Sequence, residues 1–299
     1  MPVTITTSLD DSLPKFIAAA LLKLKQTGVT RKHVDHVTLP KGSGMTYNEP
    51  QIATFSVIKL SQGVDLSQAQ EVTDTNIAIT HTEAGGQVVI TDLAVAALRD
   101  PIIRRIGEGL ANSYSNYVDN DLTSLFSGLD AGFGTSTSTF APGWLGAAHS
   151  RLLNATRPIS GPMVTILQPY HWHDIASDVA ALNTGFFRRI VGTPSINDQP
   201  GSSVAGLSED VWRNYIVGHL FGTDVLIDPT ISISASASYS ATFARDAIIY
   251  FDYVAPHMET ERDASLRSTE LNYSGVYGRG ERDGTWGFYS QADATAPTS

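Results

Sequence analysis

The chain has no cysteine in its 299 residues. Disulfides, thiolate metal sites and thiol nucleophiles are therefore excluded, and any covalent reinforcement must use other chemistry. No apolar run is long enough to span a bilayer. The one stretch like a signal peptide, Phe16 to Leu24, is spoiled by Asp10 and Asp11 before it and Lys23 within it. Lysine is absent after position 59: Lys15, Lys23, Lys25, Lys32, Lys41 and Lys59 are the whole set. With Arg31 set against Asp10, Asp11, Asp35 and Glu49, the first 59 residues carry +3; the chain carries -10, so the remainder carries -13. A basic arm on an acidic body suits contact with something negative, either a neighbouring subunit or nucleic acid. The plainer alternative is a chance clustering of lysines on a solvated face. The acidic body itself is a poor binder of nucleic acid.

Catalytic motifs are missing as well. There is no Gly-x-Ser-x-Gly elbow, and the Ser, His and Asp residues have no spacing that implies a triad. Gly42-Ser43-Gly44 and Gly278-Arg279-Gly280 lack the rest of a phosphate loop or dinucleotide fingerprint and read as turns. His171-Trp172-His173-Asp174 offers three potential metal ligands. Histidines at i and i+2 at a helix start point to different sides, however, and no ligand pair at zinc spacing follows, so structural or solvent-facing roles are expected. Glu259, Glu261, Arg262, Asp263 and Arg267 would suit a cation or an acid/base pair, but their alternating sign favours an ion-pair network at an interface. Arg104-Arg105 and Arg188-Arg189 are too short for a nucleic-acid track, although Phe186-Phe187 adjoins the second. Asn154-Ala-Thr156 and Asn272-Tyr-Ser274 fit the glycosylation pattern by chance, there being no secretion signal. No catalytic, cofactor-binding or metal-binding residue is assigned.

What is present is a long apolar pattern between Ile77 and Gly128. Ile77 and Ile79, then Val88, Val89 and Ile90, predict two short strands around a turn at Ala84-Gly85-Gly86. Thr91 is placed to cap a short helix through Ala97 and Leu98, and Asp100-Pro101 restarts it. Ile102, Ile103, Ile106, Leu110, Tyr114, Tyr117, Val118, Leu122, Leu125 and Phe126 then recur at three-and-four spacing. Glu108, Asn112, Asn116 and Asp119 fall largely on the other side. Such a helix, running to Gly128, would be about 40 Å long at about 1.5 Å per residue.

Before this pattern, the residues ahead of Leu13 predict disorder, and Leu13, Phe16, Ile17, Ala20, Leu21 and Leu24 predict an amphipathic helix that is marginal alone. Ile52 to Leu60 and Asn76 to Thr80 predict strands of an extended excursion with a Ser61-Gln62-Gly63 turn. After it, Gly128 to Gly146 reads as a flexible connection. Helices are expected at Leu145 to Leu153, from Pro169 to about Leu182 and at Val211 to Tyr215 behind Ser208. Strands are expected at Pro162 to Leu167, Asp224 to Ile227, Asp246 to Val254 and Ser268 to Tyr277, with a charged turn or strand from Glu259 to Arg267. Gln291 to Ser299 reads as a frayed polar tail.

Gln87-Val-Val-Ile-Thr-Asp-Leu-Ala-Val95, Asp100-Pro101, Gly107-Glu-Gly-Leu-Ala-Asn-Ser-Tyr114 and Asp119-Asn-Asp-Leu122 together resemble the spine helix, and the strands leading into it, of tailed-phage major capsid proteins of the Hong Kong 97 type. The resemblance implies an α+β Hong Kong 97-like fold with an N-terminal arm at 1–45 and an extended β-hairpin loop at 46–82. It implies a peripheral domain with the spine helix at 83–128, an axial domain at 129–240 with a loop at its tip from Gly185 to Gly206, and a peripheral sheet return at 241–280. An axial-domain return and tail at 281–299 complete the order. It further implies pentamers and hexamers of a shell around double-stranded DNA, with scaffolding, portal and decoration proteins as further partners, no membrane, and assembly of the virion in the host cytoplasm. Members with a long scaffolding segment differ from this chain, which reaches the arm helix almost at once, so a removed segment or a separate scaffold is expected. Lys59 is a candidate amine for an inter-subunit isopeptide bond, against the plainer reading of a solvent-exposed lysine. Two other classes fit less of the chain: an encapsulin-like compartment with enzyme cargo, and an acidic hydrolase using Glu259 to Asp263.

Overall fold

The residues around Gly85 and Gly86 build one strand, not two. The computed structural model describes residues 29–39, 44–52, 55–57, 59, 62, 69–72, 74–97, 101–155, 157, 159, 161–177, 216–220 and 222–297. In it Asp74–Thr91 is a single 18-residue strand, β3. The preceding strands are β1 (Asp35–His36) and β2 (Thr46–Ile52). The expected Gly-Gly turn is absent because both glycines are paired across the ladder, Gly85 with Ser274 and Gly86 with Tyr273. Their value lies in space. A Cβ at Gly85 would lie 2.7 Å from the Tyr273 carbonyl oxygen, and one at Gly86 would press on Leu110 at 3.3 Å.

Two helices follow. The hydroxyl of Thr91 accepts the Ala94 amide hydrogen at 3.3 Å and starts α1 (Asp92–Ala97), as expected of a capping threonine. Pro101 opens α2 (Pro101–Thr123), whose 23 residues span about 34 Å. Its last stretch, Ser124–Gly128, tightens into a 3-10 turn. The apolar stripe is buried at Tyr114, Val118, Leu122 and Phe126, but two expectations fail. Tyr117 is 55% exposed, and Asp119, expected toward solvent, is 1% exposed. Asp119 lies three residues before Leu122 and seven before Phe126, which places it on the buried row.

The remaining strands are β4 (Asp130–Phe133), β5 (Met163–Leu167), β6 (Ile216–Leu220), β7 (Thr223–Ile227), β8 (Ala237–Ala244), β9 (Ile248–Asp263), β10 (Ser268–Glu281) and β11 (Gly287–Asp293). One sheet has five strands in the order β1-β9-β10-β3-β2, the other six in the order β4-β11-β8-β5-β7-β6. Helix α3 (Gly143–Leu153) covers the six-stranded sheet through Ala148 and Leu152, and the helix at 169–177, α4, does so through Ile175. The C-terminal half of α2 packs on both sheets at once: Val118, Leu122 and Phe126 share a core with Tyr250 and Tyr277 of one and Ile166 and Phe243 of the other.

Several expectations shift here. The first strand of the excursion is Thr46–Ile52, and residues 55–57 and 59 of the expected Ile52 to Leu60 lie outside any strand, the rest after Ile52 being outside the described residues. The stretch read as a flexible connection holds a strand and a fully buried Phe140. Its Gly132 lets β4 press against the Tyr289 backbone, where no Cβ would fit. Gly278 and Gly280 are strand residues of β10, not a turn, since the Phe251 ring and the Ile79 side chain occupy the space beside them. The supposed tail begins later: Ala292 and Ala294 are buried. The chain leaves the six-stranded sheet through Arg245–Ala247. The arm helix, the helix at 211–215, the loop at 185–206, the Arg188-Arg189 pair and Gly42-Ser43 lie outside the described residues.

Candidate functional site

Among the described residues, the crossings between the two sheets pass through one seam. The chain crosses at 124–129, at 245–247 and at 282–286. The Arg282 amide donates to the Ala247 carbonyl at 2.8 Å, and Gly128 leaves room for the Glu281 carboxylate, which a Cβ there would meet at 2.8 Å. The seam is also where two segments are held, residues 29–39, the arm root, and the base of the excursion carried by β2 and β3, the loop root.

The arm root is held by carboxylates. Thr30–His33 forms a 3-10 turn, and Asp228 beneath it is fully buried. One Asp228 oxygen accepts the amide hydrogens of Val29 at 3.0 Å and Thr30 at 3.2 Å and the Thr30 hydroxyl at 2.7 Å. The other accepts the Thr230 amide at 2.9 Å and hydroxyl at 2.6 Å. From α2, Asp119 accepts the Arg31 amide at 2.9 Å. The Arg31 guanidinium reaches β9, pairing with Asp252 at 2.7 Å and lying 4.7 Å over the Tyr250 ring. The imidazole of His36 donates to the Arg31 carbonyl at 2.6 Å, and β1 then runs parallel to β9. Val34 between them is fully buried against the α2 stripe.

The loop root is held by Arg282 and a ring of aromatics. The Arg282 guanidinium donates to Asp35 at 2.7 Å, to Glu49 at 2.8 Å and to the Asp246 carbonyl at 3.0 Å. Its own carbonyl accepts from the Gln51 side chain. Gln51 in turn accepts from Arg157 at 3.0 Å, and Arg157 pairs with Asp283 at 2.8 Å. One guanidinium thus joins the arm, the loop and a crossing, a task its planar fork of donors suits better than an ammonium would. Around it Tyr47, Ile77 and Ile79 pack on Phe251, and His81 lies edge-on to Phe251 and Tyr253 while its Nδ1–H donates to the Met45 carbonyl.

Protonation follows burial and partners. Burial pushes the Asp119 carboxyl up to about 6, with Asp228 adding to the rise and the Arg31 amide opposing it. Burial lowers His33 and His171. Burial also acts to raise Asp121, but donation from Arg279 and Tyr277 outweighs it and holds that carboxyl below its ordinary range. These groups hold the segments in place.

The residues weighed for chemistry from the sequence are not brought together. His171 is fully buried, stacked on Phe140 at 5.2 Å and paired through Nδ1 with the Ser240 hydroxyl at 2.7 Å, while His173 is exposed. Asp174 accepts the Phe140 amide at 3.2 Å. Among the described residues no group of three or more His, Cys, Asp or Glu is placed to hold a metal ion. Arg262 makes a two-pronged pair with Asp92 of the same chain, and Asp263 caps the turn at Ser265 and Leu266. Lys59 is exposed. Sequence reasoning missed Asp228, Arg282 and the buried position of Asp119. The signal available was Asp228-Pro229-Thr230, a turn in which the Asp side chain accepts two residues on.

Comparison with solved structures decides the fold. The capsid of Ralstonia phage GP4 matches with a TM-score of 0.67 at 9% identity, covering 92% of this chain and 93% of that one. The head structure of Helicobacter pylori bacteriophage KHP40 matches with a TM-score of 0.67 at 10% identity, covering 90% and 92%. The chain carries the fold of phage capsid proteins. A structure of Mycobacterium phage Che8 extends the set, with a TM-score of 0.65 at 13% identity over 88% and 90% of the two chains. No family model matches the sequence, and no curated protein does. In this capsid fold the seam joins the two sheets and carries the roots of both outgoing segments.

Proposed function

We propose that the chain is the major capsid subunit of a tailed phage and self-assembles as pentamers and hexamers into an icosahedral head around double-stranded DNA. The observation that carries this reading is the match to phage capsids over about nine-tenths of both chains. In it the five-stranded sheet and α2 are the peripheral domain of a Hong Kong 97-like subunit with α2 as its spine. The six-stranded sheet belongs to the axial domain that gathers around the symmetry axes. Residues 1–45 are the arm and 46–82 the extended loop, and both clamp neighbouring subunits. The role is structural and non-enzymatic. Scaffolding, portal and decoration proteins are its further partners, and it assembles in the host cytoplasm before residing in the virion.

Electrostatics support the same reading. A body of -13 beyond residue 59 repels the polymer it encloses, so packaged DNA does not adhere to the wall. Contacts between subunits then need only be individually weak, because each subunit makes several at once. Size-exclusion chromatography with negative-stain microscopy of the purified chain tests the reading. Pentamers, hexamers, tubes or shells are expected, and a persistent 32.1 kDa monomer would overturn it. Nuclease-protected DNA inside native particles is expected; a folded enzyme cargo in its place would make the particle a compartment of the encapsulin kind.

A further inference from the structure

Asp119 and Asp228 are two buried carboxylates lying under one short segment, residues 29–33, and no guanidinium or ammonium neutralises either by direct contact among the described residues. Arg31, whose amide hydrogen Asp119 accepts, sends its guanidinium to Asp252 instead. Asp228 is compensated by five donors, three from the arm root and two from Thr230. Asp119 accepts the Arg31 amide. The charged groups acting on Asp119 are Asp228 from the turn after β7 and Arg31 and Lys32 from the root itself. A carboxylate so placed is costly while ionised, and the cost exists only while the root covers it.

We propose that the arm root is a proton-coupled latch: seating residues 29–33 takes up a proton on Asp119, so the root seats more tightly in acid and more loosely at neutral pH. With the root lifted, Asp119 meets water and titrates as an ordinary carboxylate near 3.9. Seated, it titrates at about 6, chiefly because burial disfavours the charge. The folded value lies above the free one, so the seated form holds more protons between the two. The penalty is fully present above about 6, shrinks as pH falls through that value, and is gone below the ordinary carboxylate range. Between pH 7.5 and pH 5.0 the seating equilibrium gains about tenfold. His33, on the same segment, works in the opposite sense, since its burial favours the neutral ring and acid would loosen it; Asp224 opposes that shift, while Lys32 and Arg245 reinforce it.

The latch is read from the chain's own packing and does not depend on the capsid reading. Hydrogen exchange of the amides of Val29, Thr30 and Arg31, followed by mass spectrometry on the full-length chain and corrected for intrinsic rates, tests it. Protection is expected to rise about tenfold from pH 7.5 to 5.0, with the amides of β8 as an unresponsive internal reference. Asp119→Asn, which keeps the acceptor and removes the charge, should hold the root at the acid level at every pH, and His33→Gln, which removes the opposing group, should keep the rise on acidification and steepen it. Protection that is flat or falls on acidification in the wild type overturns the latch, whether or not the variants fold. So does an Asp119→Asn variant that retains the wild-type dependence.

Discussion

Strands β8 and β9 follow each other in the chain, separated only by Arg245–Ala247, yet they are built on opposite terms. β8 reads Ala-Ser-Tyr-Ser-Ala-Thr-Phe-Ala and is buried at every position but Tyr239. β9 opens on the buried run Ile248 to Phe251 and then carries Met258, Glu259, Glu261 and Arg262 in the open. Small and hydroxylated residues make up most of buried β8, and long polar ones line the exposed outer half of β9. At the centre of its sheet between β11 and β5, β8 buries one large ring, Phe243, among small and hydroxylated residues whose hydroxyls are satisfied by neighbours: Thr242 meets Thr165 at 2.9 Å, and Thr165 meets Thr223 at 3.4 Å. The outer half of β9 has the reverse support. Its order comes from the ladder to β10, with packing confined to contacts such as Met258 against Gly107 of α2. One sheet is held by its core and the distal end of the other by its backbone.

The sharpest way to break this contrast is Phe243→Ala. Phe243 is fully buried and its ring lies 5.7 Å from Phe126, so the cavity should cost about 3 to 5 kcal/mol in urea unfolding. Arg282→Ala comes next. Its side chain is 14% exposed and its loss leaves Asp35 and Glu49 facing each other unpaired, at a cost of about 2 to 4 kcal/mol, with exchange at Asp35 to Val37 rising first. Gly275→Ala should cost about 1 to 3 kcal/mol, because its Cβ would meet the Tyr114 hydroxyl at 2.5 Å and Pro256 at 3.1 Å. Gly109→Ala in α2, where nothing lies within 4 Å, should instead stabilise by about 0.5 to 1 kcal/mol. The smallest effect belongs to Arg262→Ala on the outer half of β9: its pair with Asp92 is about half exposed, and the urea midpoint should not move. A midpoint shift there comparable to that of Phe243→Ala would erase the distinction between the two sheets.

The same contrast explains what could be read from the residues. Periodicity found α2, α3, β5, β7 and β10 because their burial follows apolar side chains. β8 escaped because its buried residues other than Phe243 are Ala, Ser and Thr, which carry little hydrophobic signature even at the centre of a sheet. Gly85-Gly86 misled for a related reason: a glycine pair marks close approach as readily as a turn, and only the partner strand tells which. The anchoring groups were the least legible. Asp119 and Arg282 look like surface charges until the fold brings segments more than 80 residues away onto them, as with Arg31 and Asp119 at a separation of 88. The charge asymmetry of the first 59 residues was visible at once, but its anchor was not.

The seam has a mechanical consequence. Three chain crossings run side by side through it, and both outgoing segments are tied there, the arm through Asp119 and Asp228 and the loop through Arg282. A pull on β1 or β2 therefore loads these side-chain ties together with the ladders to β9 and β3. Both segments thus share one anchorage: the guanidinium of Arg282 that holds Asp35 of the first also holds Glu49 of the second, so loosening it is felt by each.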